Sequence, residues 1–361
     1  VTSSKVDSVT SVLSNEIYQS NFVFNRGNRD TVNCLNCELE LTATGWHWSA
    51  HRRELYRTTQ IPVAYDDTAH APLFTAFIND AFRDDPDRDD KIRAVMELIG
   101  YTLMSHADHE KFVLLIGKGS NGKSVLLHVV EHLCGLANVA GVNPAQFDNK
   151  WQRAHLHMKL ANIVTELPQG SIIADAELKA ITSGELTTVE NKGKDPFDMR
   201  AFATCWFGTN HMPHTRDFSD ALFRRATILT FNRRYADHEQ DKNLIHKLTA
   251  ELPGILRYAL HYYACAVANG FTTPPSSIEA KDKWRREADQ ALCFIDECCE
   301  RDPFAQVRLS ELYRVFDGWA RMSGVRNALG KSKLAERLEN LGFERKKSDA
   351  IWIQGLKITQ L

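Results

Sequence analysis

The stretch from Lys111 to Ser124, KFVLLIGKGSNGKS, runs an apolar segment into a complete G-x-x-x-x-G-K-[ST] phosphate loop. Each part of that spacing has a chemical reason. Gly117, Gly119 and Gly122 let the backbone curl until several N–H groups point at one phosphate chain, and Ser120 and Asn121 complete the cradle. Lys123 reaches the outer phosphates of a nucleotide such as ATP, and the Ser124 hydroxyl is the candidate ligand for Mg²⁺. Residues 124–135 then read as a helix that stops at Gly135, with its N-terminus and favourable dipole against the phosphates.

Three further segments supply residue types that phosphate chemistry needs. Leu160–Val164 is an apolar strand ending at Thr165-Glu166, where a carboxylate can orient and deprotonate an attacking water. A second strand, Ala203–Phe207, leads into Gly208-Thr209-Asn210, whose amide can bond a phosphate or the lytic water without adding charge. Arg224 and Arg225 precede a third strand, 226–231. They read either as salt-bridge partners of a solvated helix or as an arginine finger donated across a subunit interface, a device worth roughly 10³–10⁵ in rate. Between the acidic and amide strands, Thr188–Phe197 reads as a hairpin turning at Gly193, and Lys192 and Lys194 at its tip can hold nucleic-acid phosphates.

These residues must be held by an α/β core, expected over 106–270. An α+β region, 1–105, precedes it and a smaller module, 271–361, follows. With 361 residues, 43% hydrophobic and 25% charged, the chain has the composition of a globular protein with several domains. Its net charge of −2 means that a nucleic-acid surface must come from local clustering. No apolar run reaches membrane-spanning length. The eight scattered cysteines fit a reducing compartment such as the cytoplasm. Cys34 and Cys37 with His47 and His51 have the residue types of a zinc site, but the separation is short for a finger and ordinary strand cysteines are expected. The chain opens at Val1, so a fragment with a further upstream domain is expected. The run Thr272-Thr273-Pro274-Pro275-Ser276-Ser277 reads as a linker.

Taken together, GKGSNGKS, NIVTELP, Leu178-Lys179, Ser183-Gly184, Lys192, the strand to Asn210 and Arg224-Arg225 resemble the superfamily III helicases. More narrowly, they resemble the C-terminal helicase half of the phage/plasmid primase–helicase family, related to poxvirus D5-type NTPases. The resemblance implies an AAA+ P-loop core with a parallel sheet, an N-terminal collar and a ring, a hexamer, that draws single-stranded DNA through its centre in the 3′ to 5′ direction. It implies Mg²⁺ and ATP at Lys123 and Ser124, water polarisation by Glu166, γ-phosphate sensing by Asn210 and action in trans by Arg224, with Arg225 second. Lys192 and Lys194 map to the DNA-gripping hairpin. Thr165 departs from the acidic pair usual in the family. No primase-type acidic cluster is present, so primer synthesis is not expected, and the host-cell cytoplasm of a bacterium is the expected location. A DNA-dependent remodelling ATPase would share these motifs, and a small-molecule P-loop NTPase would share the phosphate loop.

The tail adds a module. Helical spacing over 307–319, a second helix over 331–341 and a basic hairpin over 343–353 give a winged-helix order. Lys331, Lys333 and Arg337, with Arg345, Lys346 and Lys347 in the wing, are candidates to face duplex origin DNA. A protein-contact module is the other reading of the same charges.

Overall fold

The computed structural model describes residues 3–16, 22–215, 217, 219–323, 325 and 328–359. Its centre is a five-stranded parallel sheet made of β1 (Phe112–Ile116), β2 (Val139–Ala140), β3 (Ala161–Val164), β4 (Thr204–Thr209) and β5 (Ala226–Thr230). The spatial order is β5-β1-β4-β3-β2. Strands this apolar suit a sheet covered on both faces, and all six residues of β4 are buried. Alternate side chains divide the strands between two cores. Val113, Leu115, Trp206 and Leu229 join one, while Phe112, Leu114, Phe207 and Ile228 join the other. The helix Lys123–Cys134 seals the first face through Leu126, Leu127, Val130 and Leu133. The helix Asp175–Thr182 buries Leu178 and Ile181 on the second.

The N-terminal region does not have a separate core. A three-stranded meander (Thr31–Asn33, Glu38–Thr42, Gly45–Ser49) and the helices Pro72–Ala81 and Arg88–Thr102 share the first core with the helix Leu252–Asn269. Helices 88–102 and 252–269 approach closely at Gly100, where an added Cβ would lie 2.4 Å from the Ala259 carbonyl oxygen. Lys91, fully buried, ties the first of these helices to the end of β5. Its ammonium donates to Asp85 at 2.9 Å, to the Thr230 carbonyl at 3.0 Å and to Thr230 Oγ1 at 2.8 Å. Cys34 and Cys37 are buried in the same core, and burial raises both thiol pKa values. Cys34's carbonyl contacts the His51 ring nitrogen, whereas the His47 ring contacts Thr44. Among the described residues no cluster of His, Cys, Asp or Glu is arranged to hold a metal ion. No described helix is long and apolar enough to cross a membrane.

Residues 272–277 are not a free linker. The Thr272 N–H and hydroxyl both donate to Glu97, at 2.7 Å each, and the Ser276 N–H donates to Asp87. The helix Pro275–Ala288 then lies on the core and buries Trp284 in the second face. The C-terminal module's own core begins at Ala291. It runs helix Gln290–Cys298, strand Cys299–Arg308, helices Leu309–Met322 and Lys331–Asn340, then strands Arg345–Lys347 and Ile351–Ile358, with the last strand in the middle of the sheet. This is a winged-helix order, with residues 345–353 as the wing. One expected phosphate contact is already committed: Arg337 is held by Asp289, which is 1% exposed. Lys331 and Lys333 are exposed, but Glu336 and Glu339 share that helix's outer side. In the wing, Arg345 and Lys346 pair with Glu339 and Glu344, and Lys347 is exposed.

Replacing Lys91 with Met keeps the stem's bulk and removes the ammonium, leaving Asp85 buried beside it. Stability in urea unfolding should fall by about 3–5 kcal/mol, the cost of breaking a buried pair. A loss below about 1 kcal/mol would contradict the structural role given to this lysine.

Candidate functional site

In a parallel sheet every strand ends at the same edge, so loops distant in sequence converge there. The loop after β1 carries residues 117–122, the one after β3 carries Thr165 and Glu166, and Asn210 follows β4. Gly119 and Gly122 have φ of +84° and +91°, and Ser120 also adopts positive φ, at +47°. Gly117 has no room for a side chain, since a Cβ would lie 2.1 Å from the Asn121 amide nitrogen and 2.5 Å from the Phe231 carbonyl oxygen. Gly122 begins the helix Lys123–Cys134 without any side-chain cap, which leaves the first-turn N–H groups open to a ligand.

These loops line a cleft of about 230 Å³ bounded by Gly119–Val125, Thr165, Glu166, Thr209 and Asn210. Lys123 is 6% exposed, and burial lowers its pKa while the Glu166 carboxylate pulls the other way. Its ammonium is satisfied by oxygens alone: the Gly117 carbonyl, Asn121 Oδ1 at 3.2 Å and Asn210 Oδ1 at 3.4 Å. Asn210 in turn donates its amide to Glu166 Oε1 at 3.1 Å. One neutral amide therefore joins the cation that would meet phosphate to the carboxylate that would meet water. Asn121 also reaches across to the Phe231 carbonyl, 3.4 Å away, and so links the loop to the end of β5.

The donor set suits a Mg²⁺-nucleotide. A glycine cradle, an uncapped helix N-terminus and a buried ammonium suit a phosphate chain. Ser124 and Glu166 offer the one or two oxygens with which proteins ordinarily hold Mg²⁺ when phosphates supply the rest. A second hollow of about 510 Å³ adjoins the cleft through Ser120, Gly122 and Val125. Its walls include Leu73, Phe77, Tyr235 and Leu244, and a Cβ on Gly122 would lie 3.1 Å from the Phe77 ring. An apolar hollow beside a phosphate cradle can take a nucleobase. Sequence reasoning missed this wall, although Tyr235 lies just beyond β5 and its N–H bonds the Ser120 carbonyl at 2.8 Å. Arg233 was missed as well. Its side chain is 8% exposed, stacks over Tyr235 at 4.3 Å and pairs with Asp80 and Glu239, each at 2.9 Å.

The other expected site residues lie elsewhere. Arg224 and Arg225 precede β5, at the edge of the sheet opposite the phosphate loop; the Arg225 carbonyl accepts from the Phe112 N–H at the start of β1. Arg224 is exposed and pairs with Glu110 at 3.2 Å. Arg225 is 6% exposed and spent on Glu110, Ser183 and the Ala221 carbonyl. That burial leaves the second arginine without freedom to reach another molecule. Lys192 and Lys194 are exposed at the tip of the hairpin Leu186–Val189/Phe197–Arg200, which turns at Gly193 with φ of +77°. The strand end leading into the turn is clamped where Trp151 and Lys150 bond Glu190.

Residues 2–83 match the D5 N-terminal-like family, and residues 115–225 match a family of unknown function (DUF5906). Frog virus 3 "Putative helicase 022R" is 22% identical over 58% of this chain and 24% of its own length. "Putative helicase L207/L206" of Acanthamoeba polyphaga mimivirus is 21% identical over 68% and 28%. The chain thus spans about a quarter of the length of these relatives. An apo structure of the NrS-1 C-terminal region aligns with 98% of this chain and 90% of its own at 10% identity, with a TM-score of 0.48.

Lys123→Ala should abolish nucleotide turnover and weaken nucleotide binding by removing the buried counter-charge; filter binding and phosphate release check both. Normal hydrolysis by that variant would overturn the assignment of the cleft. Asn210→Ala should keep binding within about threefold while kcat falls at least about tenfold, as for loss of a group acting in the transition state. An unchanged kcat would separate the amide from the chemistry.

Proposed function

We propose that this chain, a D5-like primase–helicase family member, is the ATP-driven motor segment of a DNA helicase. In this reading it works as a homo-oligomeric ring, a hexamer, on single-stranded DNA, moving 3′ to 5′. The observation that carries the proposal is the placement of Arg224. β1 is five residues long, roughly 16 Å at about 3.3 Å per residue, and separates Arg224 from the phosphate loop of its own chain. An exposed arginine so placed can meet the phosphates of a bound nucleotide only in another copy. The single carboxylate Glu110 that now holds it is itself partly exposed, so the guanidinium can exchange partners.

The residues at the cleft have complementary tasks. ATP with Mg²⁺ supplies the transferable phosphoryl group and the charge that Lys123 and the first-turn N–H groups bind. Ser124 offers a hydroxyl to the metal. Glu166 accepts a proton from the attacking water, and Asn210 holds that carboxylate at a fixed distance from Lys123. When Lys123 turns to phosphate it gives up the Asn210 oxygen, which frees the amide to report the nucleotide to Glu166. Arg224 of a neighbouring copy neutralises charge developing on the phosphoryl oxygens. Lys192 and Lys194 give the moving hairpin its grip on the strand backbone, without sequence preference.

Arg224→Ala should bind ATP as the parent does and lose turnover by about 10³ or more. Mixed with parent protein it should depress activity more steeply than its mole fraction, because each variant subunit disables a neighbour's site. A loss strictly proportional to the fraction added would remove the case for action in trans.

A further inference from the structure

Away from the nucleotide, at the amino edge of the sheet, a groove of about 660 Å³ separates the N-terminal region from the core. Nothing in the site described above uses it. One wall is the segment 23–33 with Arg57, and the other is formed by residues 106–108, 183–184 and 200–202. Its charge is one-sided. Arg26, Arg29, Arg57 and Arg200 line it, against the single carboxylate of Asp108. Asp108 pairs with Arg29 at 2.8 Å and Arg57 leans on Glu38 at 3.5 Å, with its Nε buried and without a partner. Among the described residues, Arg26 and Arg200 have no carboxylate within ion-pair distance, and they stand on opposite walls.

Two further features narrow the occupant. Phe24 is 49% exposed in the wall, and the Arg26 guanidinium lies 4.9 Å and 4.8 Å over the rings of Phe22 and Tyr56. Planar cations and open rings together form the surface that takes stacked bases and their phosphates. Arg200 also ends the hairpin that carries Lys192 and Lys194, and it donates to the Gly184 carbonyl at the hairpin's root. Arg200 therefore joins the groove to the root of the hairpin whose tip carries the two lysines.

We propose that this groove is a second binding site for single-stranded DNA, holding the strand through Arg26, Arg29 and Arg200 with Phe24 as a stacking platform. The proposal rests on the reading of the chain as a strand motor. It adds a fixed anchor beside the moving hairpin: a strand held at the groove while the hairpin shifts is prevented from slipping back between steps. The N-terminal region thereby acquires a role in handling the strand besides its packing on the core.

The test is fluorescence anisotropy of a labelled oligothymidine of about 16 nucleotides with the full chain, measured across a salt series. Arg26→Ala with Arg200→Ala removes two exposed side chains and spares the core. Affinity should fall at least about tenfold, and the slope of log affinity against log salt should shrink by about 1.4, at about 0.7 per phosphate contact on single strands. Lys192→Ala with Lys194→Ala should lower the slope by a similar amount, and the two losses should add when the four substitutions are combined. Unchanged affinity and slope in the alanine variant overturn the groove; if Lys192→Ala with Lys194→Ala still loses affinity, the motor reading stands without it. Equal displacement of the oligonucleotide by polyglutamate would make this a groove for acidic peptides and also overturn the proposal. A parent chain that binds no oligonucleotide would take the groove and the helicase reading down together.

Discussion

The hydrogen bonds that seat β4 between β1 and β3 fix where a lysine from one loop and a carboxylate from another can stand. Leu114 pairs with Phe207 on one side of β4, and Ile163 pairs with Trp206 on the other. With those registers set, Asn210 emerges between the two loops, at bonding distance from both Lys123 and Glu166. Gly208 shows how tight the constraint is. A Cβ there would lie 2.3 Å from the Thr165 carbonyl oxygen, so the strand end admits no side chain where it passes the acidic loop. The site's geometry thus comes from a sheet buried on both faces, whose register cannot slip without exposing one apolar face.

The same sheet separates two kinds of charge. At its carboxyl edge stands a nearly closed polar network of Lys123, Asn210 and Glu166. At its amino edge lie Arg224, the hairpin and the arginine-lined groove, exposed and available to another molecule. A net charge of −2 conceals this polarity, because acids elsewhere, such as Glu97, Asp85 and Asp289, are spent on holding elements together. On the proposed reading, local placement rather than the sum supplies the charge that phosphate requires.

The parts of this arrangement legible in the sequence are those where backbone chemistry dictates residue type. The phosphate loop needs glycines at fixed spacing, the hairpin needs a residue such as Gly193 at positive φ, and apolar runs bounded by polar loops give β1, β3 and β4. The winged-helix order could be read from periodicity in the same way. What escaped were contacts between distant segments. Phe77 looks like a core residue of its helix, and nothing local shows that it meets Gly122. The run 272–277 has the composition of a linker, yet Glu97 and Asp87, 175 and 189 residues upstream, hold its polar groups. Arg337 has the spacing of a phosphate contact, but Asp289, the N-cap of the helix Gln290–Cys298, takes it. Arg225 differs from Arg224 only in burial, which sequence adjacency does not reveal.

The central claim is that each nucleotide site is completed by a neighbouring copy and coupled to a DNA strand. The measurement that tests it most directly is specific ATP hydrolysis as a function of protein concentration, with and without single-stranded DNA. Specific activity should rise steeply with concentration, as copies assemble and Arg224 meets its partner's phosphate, and rise further with DNA. Specific activity that is flat with concentration and indifferent to DNA would contradict it, and would make this a self-contained NTPase.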